Sequence, residues 1–257
     1  MIGGGNMGAA LVGGMLASGT IAPSALAIVE PVAARRGELA AMFPDVAVHD
    51  SIPACRSAVI AVKPPDVPAV AAAAAAAGAT RLLSIAAGVT TAAIASAAGD
   101  GVAVLRTMPN TPALVGQAVS ALAGGQGASE DDLDWAAAIL DGVGIVVRVT
   151  EAQLDAVTGL TGSGPAYVFL VAEALADAGE RVGLPRDLVE PMVAQLLVGS
   201  AALLQRDGDP AGLREKVTSP GGTTAAGLQV LEAHAVRDAF VRAVEAATAR
   251  SRELGAG

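Results

Sequence analysis

Apolar positions follow two different rhythms along this 257-residue chain. Short apolar runs recur at 26–29, 46–48, 58–62, 82–85, 102–105, 119–122 and 145–149. Several are continuous, as in Ala58-Val59-Ile60-Ala61-Val62, which is the pattern of strands buried on both faces. Stretches of helical composition lie between several of them: 33–42, the Ala-rich 67–77, 90–98, and 130–140 with Ser129 placed as its N-cap. Strands alternating with helices predict a doubly wound α/β sheet covered on both sides.

Near residue 150 the rhythm changes. Thr150-Glu151-Ala152-Gln153 has capping-box spacing, and beyond it no run reads as a convincing strand. Residues 164–181, 185–205, 210–216, 223–234 and 237–254 read as helices. In the second of these Leu188, Val189, Met192, Val193, Leu196, Leu197, Val198, Leu203 and Leu204 cover more than one face, so it needs burial on several sides. Either a second copy shares this core or one all-α domain buries it, and the pattern leaves both open. The expected division is an α/β domain over 1–150 and an all-α domain over 151–257.

Composition narrows the function classes. The chain is 53 % hydrophobic but only 2 % aromatic, and its net charge is −9. It lacks the phosphate-neutralising surface and stacking platforms of a nucleic-acid partner. A single cysteine, Cys55, excludes an internal disulfide and fits a reducing compartment. His49 and His234 have no ligand spacing, so no metal site is expected and a serine–histidine triad is improbable. Cys55 and His49 read as structural. No signal peptide is visible, and the uncharged stretches 82–99 and 107–129 are broken by polar residues. The expectation is a cytoplasmic protein with no membrane span.

Candidate chemistry begins at the first residues. Gly3-Gly4-Gly5-Asn6-Met7-Gly8 contains G-x-G-x-x-G, followed by the small apolar Ala9 to Leu16. Such glycines permit a tight turn and close backbone approach, and a helix N-terminus offers amides to a pyrophosphate. The motif should follow a strand, yet only Met1 and Ile2 precede it. A first strand truncated by about five residues, a misassigned start, or a stub strand each account for this. Glu30, at the end of the next strand, is placed to bind a ribose 2′-hydroxyl and favour NADH, while Arg35 and Arg36 are placed either to hold a 2′-phosphate or simply to stand as solvated helix residues, and the pattern leaves the cofactor preference open.

A second unusual stretch is Lys216-Val217-Thr218-Ser219-Pro220-Gly221-Gly222-Thr223-Thr224, with a helix predicted from about Thr223. Free amides at that start suit a small carboxylate, although a plain capped helix connection has the same composition. Gly162-Ser163-Gly164-Pro165-Ala166-Tyr167 reads as a turn and a Pro-initiated helix, and Tyr167 packs more readily than it acts as an acid.

Five segments together resemble the pyrroline-5-carboxylate reductase family: Gly3 to Gly8; Ala61-Val62-Lys63-Pro64; Arg106-Thr107-Met108-Pro109-Asn110-Thr111-Pro112; Thr161 to Tyr167; and Val217 to Thr224. They stand in the family's order across nearly the whole chain. The departures are the short N-terminus and the region from Glu30 to Arg36. The resemblance implies a Rossmann-like domain followed by a helical dimerisation domain that interleaves with a partner's, with homodimers assembling in some members into decamers. It implies NADPH, with NADH as the alternative, as cofactor and 1-pyrroline-5-carboxylate as substrate. The cofactor would be held by Gly3, Gly5, Asn6, Met7, Gly8, Ala61, Val62, Lys63, Pro64 and Asn110. The substrate carboxylate would sit on Ser219, Gly221, Gly222, Thr223 and Thr224, and the Thr224 hydroxyl would orient the ring nitrogen as the catalytic group. Two rivals are a 3-hydroxyacid dehydrogenase, which needs a helix lysine that residues 151–180 lack, and a dinucleotide-binding sensor without turnover.

Overall fold

The structure is a computed structural model, and it describes residues 1–255. Two compact units emerge: residues 1–163 with the chain from Glu245 onward, and Gly164–Val244.

The first unit is built on β1 (Ala27–Val29), β2 (Ala47–His49), β3 (Ser57–Ile60), β4 (Arg81–Ser84), β5 (Ala103–Met108), β6 (Ala118–Gly124) and β7 (Gly144–Arg148). These match the seven expected runs within a few residues. β1 pairs with β2, and β3 to β7 lie side by side in sequence order. Ile2 joins the two groups by bridging in parallel to both Val29 and Ile60. The Ile2 amide donates to the Val59 carbonyl at 2.8 Å and the Ala61 amide donates to the Ile2 carbonyl at 2.7 Å, while the Gly3 amide donates to Val29 at 2.9 Å. Through these contacts Ile2 forms a one-residue stub strand between β1 and β3. β5 and β6 run antiparallel and β6 and β7 parallel, so the last two strands oppose the rest of an otherwise parallel sheet.

Alternation along each strand sends successive side chains to opposite faces. Val59, Leu83 and Leu105 join one core with Leu11, Val12 and Met15 of α1 (Asn6–Ala17) and Ile139 and Leu140 of α5 (Glu130–Asp141). Leu39 of α2 (Ala33–Met42) closes the same face. Ala58, Ile60, Leu82 and Val104 face the other way. There they meet Val67, Ala71 and Ala74 of α3 (Val67–Ala76) and Ile94 of α4 (Thr91–Ala98). The alanines of α3 let it lie close to the sheet without aromatic filler. Ser129 caps α5 in a capping box with Asp132, and Thr150 and Gln153 form the second box where the strands end. After β7 come α6 (Leu154–Val157) and a π turn over Thr158–Gly162.

The second unit holds α7 (Gly164–Arg181), α8 (Arg186–Asp207), α9 (Pro210–Lys216), α10 (Thr223–Ala233) and the first turns of α11 (Val236–Gly255). Gly179 of α7 lies against Val189 of α8, and a small cluster of Ala176, Val189 and Val193 is buried. Phe169, Leu170, Met192, Leu196, Val230 and Leu231 remain exposed. Among the described residues α8 alone is long and apolar enough to cross a membrane by length and composition. The last turns of α11 belong to the first unit, where the Ser251 hydroxyl donates to Asp155 Oδ1 at 2.7 Å.

Candidate active site

The glycine motif sits where the stub strand turns into α1. Gly3 has φ +103°, and a Cβ there would collide with the Ala61 carbonyl; one at Gly8 would collide with the Gly3 carbonyl. Both glycines are therefore required by the protein's own packing. Gly5 differs: a Cβ would meet nothing within 4 Å. It is the extended N-cap of α1, and no side chain caps that helix. The first-turn amides have no intrahelical acceptor, and they open at exposed Gly5 and Asn6 beside the positive end of the helix dipole. That cradle fits a dinucleotide pyrophosphate, with Met7 half-buried behind it.

Of the other expected cofactor residues, Ala61 and Val62 lie directly against the glycine motif. Ala61 and Val62 are half-buried at the end of β3, and exposed Lys63 leads into a single 3₁₀ turn over Pro64–Asp66. Glu30 is buried at the end of β1 and accepts the Gly4 amide on Oε2 at 3.1 Å and the Val32 amide on Oε1 at 3.0 Å. Asn110 is also buried, and protein partners engage both ends of its amide. Oδ1 accepts the Val119 amide at 3.0 Å, and Nδ2 donates to the Thr161 carbonyl at 3.1 Å. It thus ties the turn after β5 to the π turn. A π turn shifts backbone bonding from i→i−4 to i→i−5, and such turns gather at functional sites.

Sequence reasoning missed that π turn, because Thr158-Gly-Leu-Thr-Gly162 carries no cue beyond glycine and threonine. It also missed the cluster at Glu151. That carboxylate accepts the Thr91 amide at 2.7 Å, the Thr91 hydroxyl at 2.6 Å and Arg106 Nη1 at 2.7 Å. Burial pushes the Glu151 carboxyl upward, but the Thr91 and Arg106 hydrogen bonds outweigh it and hold it below the ordinary value. Thr91 opens α4, so Glu151 supplies charge to that helix N-terminus from a distant part of the chain.

The expected substrate residues lie in the second unit, at the entry to α10. The Gly222 amide donates to the Ser219 carbonyl at 3.0 Å, and Gly221 has φ +70°. The chain thus makes a tight turn, with Gly222 as an N-cap that bears no side-chain cap. Ser219, Gly221, Thr223 and Thr224 are exposed at this turn, where the helix-start amides have no side-chain cap. This is a carboxylate-sized site by composition. Among the described residues no group of three His, Cys, Asp or Glu is placed to hold a metal ion.

Comparison with known proteins agrees with this two-part construction. Residues 1–88 match the family described as NADP oxidoreductase coenzyme F420-dependent, and residues 151–254 match pyrroline-5-carboxylate reductase dimerisation. The pyrroline-5-carboxylate reductase of Synechocystis is 43 % identical, over 99 % of this chain and 97 % of its own. The structure of a pyrroline-5-carboxylate reductase from Coxiella burnetii superposes with a TM-score of 0.91 at 31 % identity, covering 98 % of this chain and 96 % of that one. The Plasmodium falciparum pyrroline carboxylate reductase with NADP bound gives 0.84 at 30 % identity, covering 99 % and 96 %. Fold, glycine cradle, hydroxyl-rich loop and near-complete alignment converge on one assignment: the chain belongs to the pyrroline-5-carboxylate reductase family.

Proposed function

We propose that the protein reduces 1-pyrroline-5-carboxylate to L-proline, the last step of proline biosynthesis, taking hydride from NADPH, with NADH as the alternative donor. The observation that carries this reading is the 43 % identity across 99 % of the chain to a reductase of that name. The absence of a lysine between residues 151 and 180 speaks against hydroxyacid chemistry. The retained hydroxyl loop favours turnover over a sensor role.

The reduced nicotinamide supplies the hydride. Everything else falls to binding and orientation, because a protonated cyclic imine is already electrophilic. Gly3, Gly5, Asn6, Met7 and Gly8 receive the pyrophosphate on the amides of α1. Ala61, Val62, Lys63 and Pro64 line the cofactor at the end of β3, and Asn110 holds the turn beyond β5. Ser219, Gly221, Gly222 and Thr223 bind the substrate carboxylate with backbone and hydroxyl donors. Thr224 sets its hydroxyl on the ring nitrogen, as orienter and proton partner, and no strong acid is required.

The test is imine-dependent oxidation of NADPH and NADH followed separately by absorbance. Oxidation with either supports the reading, and its absence with both overturns it. Thr224→Ala is expected to lower kcat about tenfold to a hundredfold, the worth of one hydrogen bond to a charged transition state, while leaving NADPH affinity within about twofold. An unchanged kcat would remove Thr224 from the chemistry.

A homodimer, extended in some assemblies to a decamer, accounts for the exposed apolar helices of the second unit and for the dimerisation family matched there. A dimer core is likewise the role given to α8. One cysteine and the reductase chemistry fit the cytoplasm.

A further inference from the structure

Two side chains, Glu30 and Arg35, bond the glycine loop at Gly4, and a third, Arg36, bonds the chain just past β1. Glu30 is only 9 % exposed. Its two carboxylate oxygens already accept backbone amides, Gly4 on one side and Val32 on the other. A carboxylate that reads a ribose turns its oxygens toward the ligand; this one lies beneath the loop and fixes it. Arg35 donates from Nε to the Gly4 carbonyl at 2.8 Å, and its Nη1 is neutralised by Glu38 at 2.6 Å. Among the described residues Arg36 has no carboxylate partner. Its Nη1 donates to the Glu30 carbonyl at 2.9 Å and the Pro31 carbonyl at 2.7 Å, which fastens the guanidinium just past the strand. Among the described residues its Nε and Nη2 have no hydrogen-bond acceptor.

We propose that Glu30 is a positioning residue for the glycine loop rather than the ribose reader, and that Arg36, seconded by Arg35, selects adenosine bearing a 2′-phosphate. The inference rests on the dinucleotide reading above and assigns its cofactor preference to particular side chains. The corner past this strand is where the adenosine ribose lies in doubly wound folds. A guanidinium already held by two carbonyls is preorganised to offer its remaining donors to a phosphate. Of the two carboxylates beside these arginines, Glu30 has both oxygens held by backbone amides and Glu38 is paired with Arg35, which leaves Arg36 as the principal donor.

Calorimetric titration with adenosine 2′,5′-bisphosphate and with adenosine 5′-monophosphate tests this without turnover, since neither carries a nicotinamide. The parent protein is expected to bind the bisphosphate about tenfold or more tightly than the monophosphate. Arg36→Ala should erase that ratio with monophosphate affinity retained, and Arg36→Lys should restore part of it. Glu30→Gln should weaken both nucleotides by a similar factor and leave the ratio where it was. A ratio moved about tenfold toward the bisphosphate in Glu30→Gln would make the carboxylate the reader and overturn the proposal. So would an unchanged ratio in Arg36→Ala. If Glu30→Gln fails to fold by thermal melting, the two Arg36 variants decide alone. A parent that binds both nucleotides equally sinks this inference only, whereas a parent that binds neither sinks the dinucleotide reading and this with it.

Discussion

Gly3 shows how one residue can be fixed twice over. Its φ of +103° lies where L side chains are strained, and a Cβ would also press on the Ala61 carbonyl, which belongs to the strand end that receives the stub. Gly3→Ala is therefore expected to cost at least about 2 kcal/mol, read as a lower urea midpoint at unchanged slope. Gly5→Ala meets no protein atom and should leave stability within about 0.5 kcal/mol while weakening dinucleotide binding. The motif was legible in sequence as one ligand signature, but spacing alone does not separate the glycines the fold needs from the one facing the cradle. Glu151 makes a residue-scale prediction with a pH dependence. Its carboxyl is held below the ordinary 4.5, so the unfolded chain binds more protons as the solution is acidified through that value. The stability it contributes is present above about pH 4.5 and is lost as pH falls through the lower folded-state value. Comparing urea midpoints of the parent and Glu151→Gln between pH 7 and pH 3 isolates it: the gap should be about 1–2 kcal/mol at neutral pH and close with acid. A gap that does not change with pH would place the effect elsewhere.

Elements were readable where local pattern decides them. Seven apolar runs and the helices between them were placed within a few residues, because burial on both faces makes each strand continuous. Strand direction was not readable. β6 runs antiparallel to β5 after only a short 3₁₀ turn over Thr111–Val115, and the apolar run is the same in either direction. The stub strand is a single bridged residue, below the length any periodicity can register. The π turn escaped for a related reason: its geometry depends on a long-range partner. Asn110 supplies it, so Asn110→Ala should leave the Val119 amide and Thr161 carbonyl without their partner, at about 1–3 kcal/mol. Amide hydrogen exchange should locate the loss, with faster exchange at Val119 and across 158–163 and little change at Leu82 and Leu83 in the sheet centre. Asn110→Asp keeps the acceptor for Val119 and removes the donor to Thr161, so it should loosen the π turn and spare Val119. Uniform acceleration across the sheet in both variants would mean that Asn110 holds the domain as a whole rather than this turn.

For the whole molecule the decisive fact is how little apolar surface the second unit buries. A unit spanning Gly164–Val244 has Ala176, Val189 and Val193 as its buried cluster, while Met192 and Leu196 of the same helix stand 57 % and 55 % exposed. Chains of this length depend on burying most of their apolar area, and three buried side chains cannot offset the conformational entropy of five ordered helices. Helix periodicity left partner and self-burial equally open; the exposed rows along α7, α8 and α10, with the dimerisation family matched over 151–254, favour a second copy as the cover. Folding and association are then one equilibrium. The melting temperature should rise with protein concentration, because binding that exists only in the folded state stabilises by mass action. Met192→Glu with Leu196→Glu places two charges where a dimer core would have to desolvate them, which costs several kcal/mol. The expected outcome is a monomer in light scattering at micromolar concentration, with a melting temperature well below that of the parent. The dinucleotide fold has its own two cores, so binding of a 2′-phosphorylated adenosine should survive in the variant while imine reduction is lost. A parent whose melting temperature stays constant over a hundredfold dilution, and which scatters as a monomer throughout, would return the second unit to burial within a single chain.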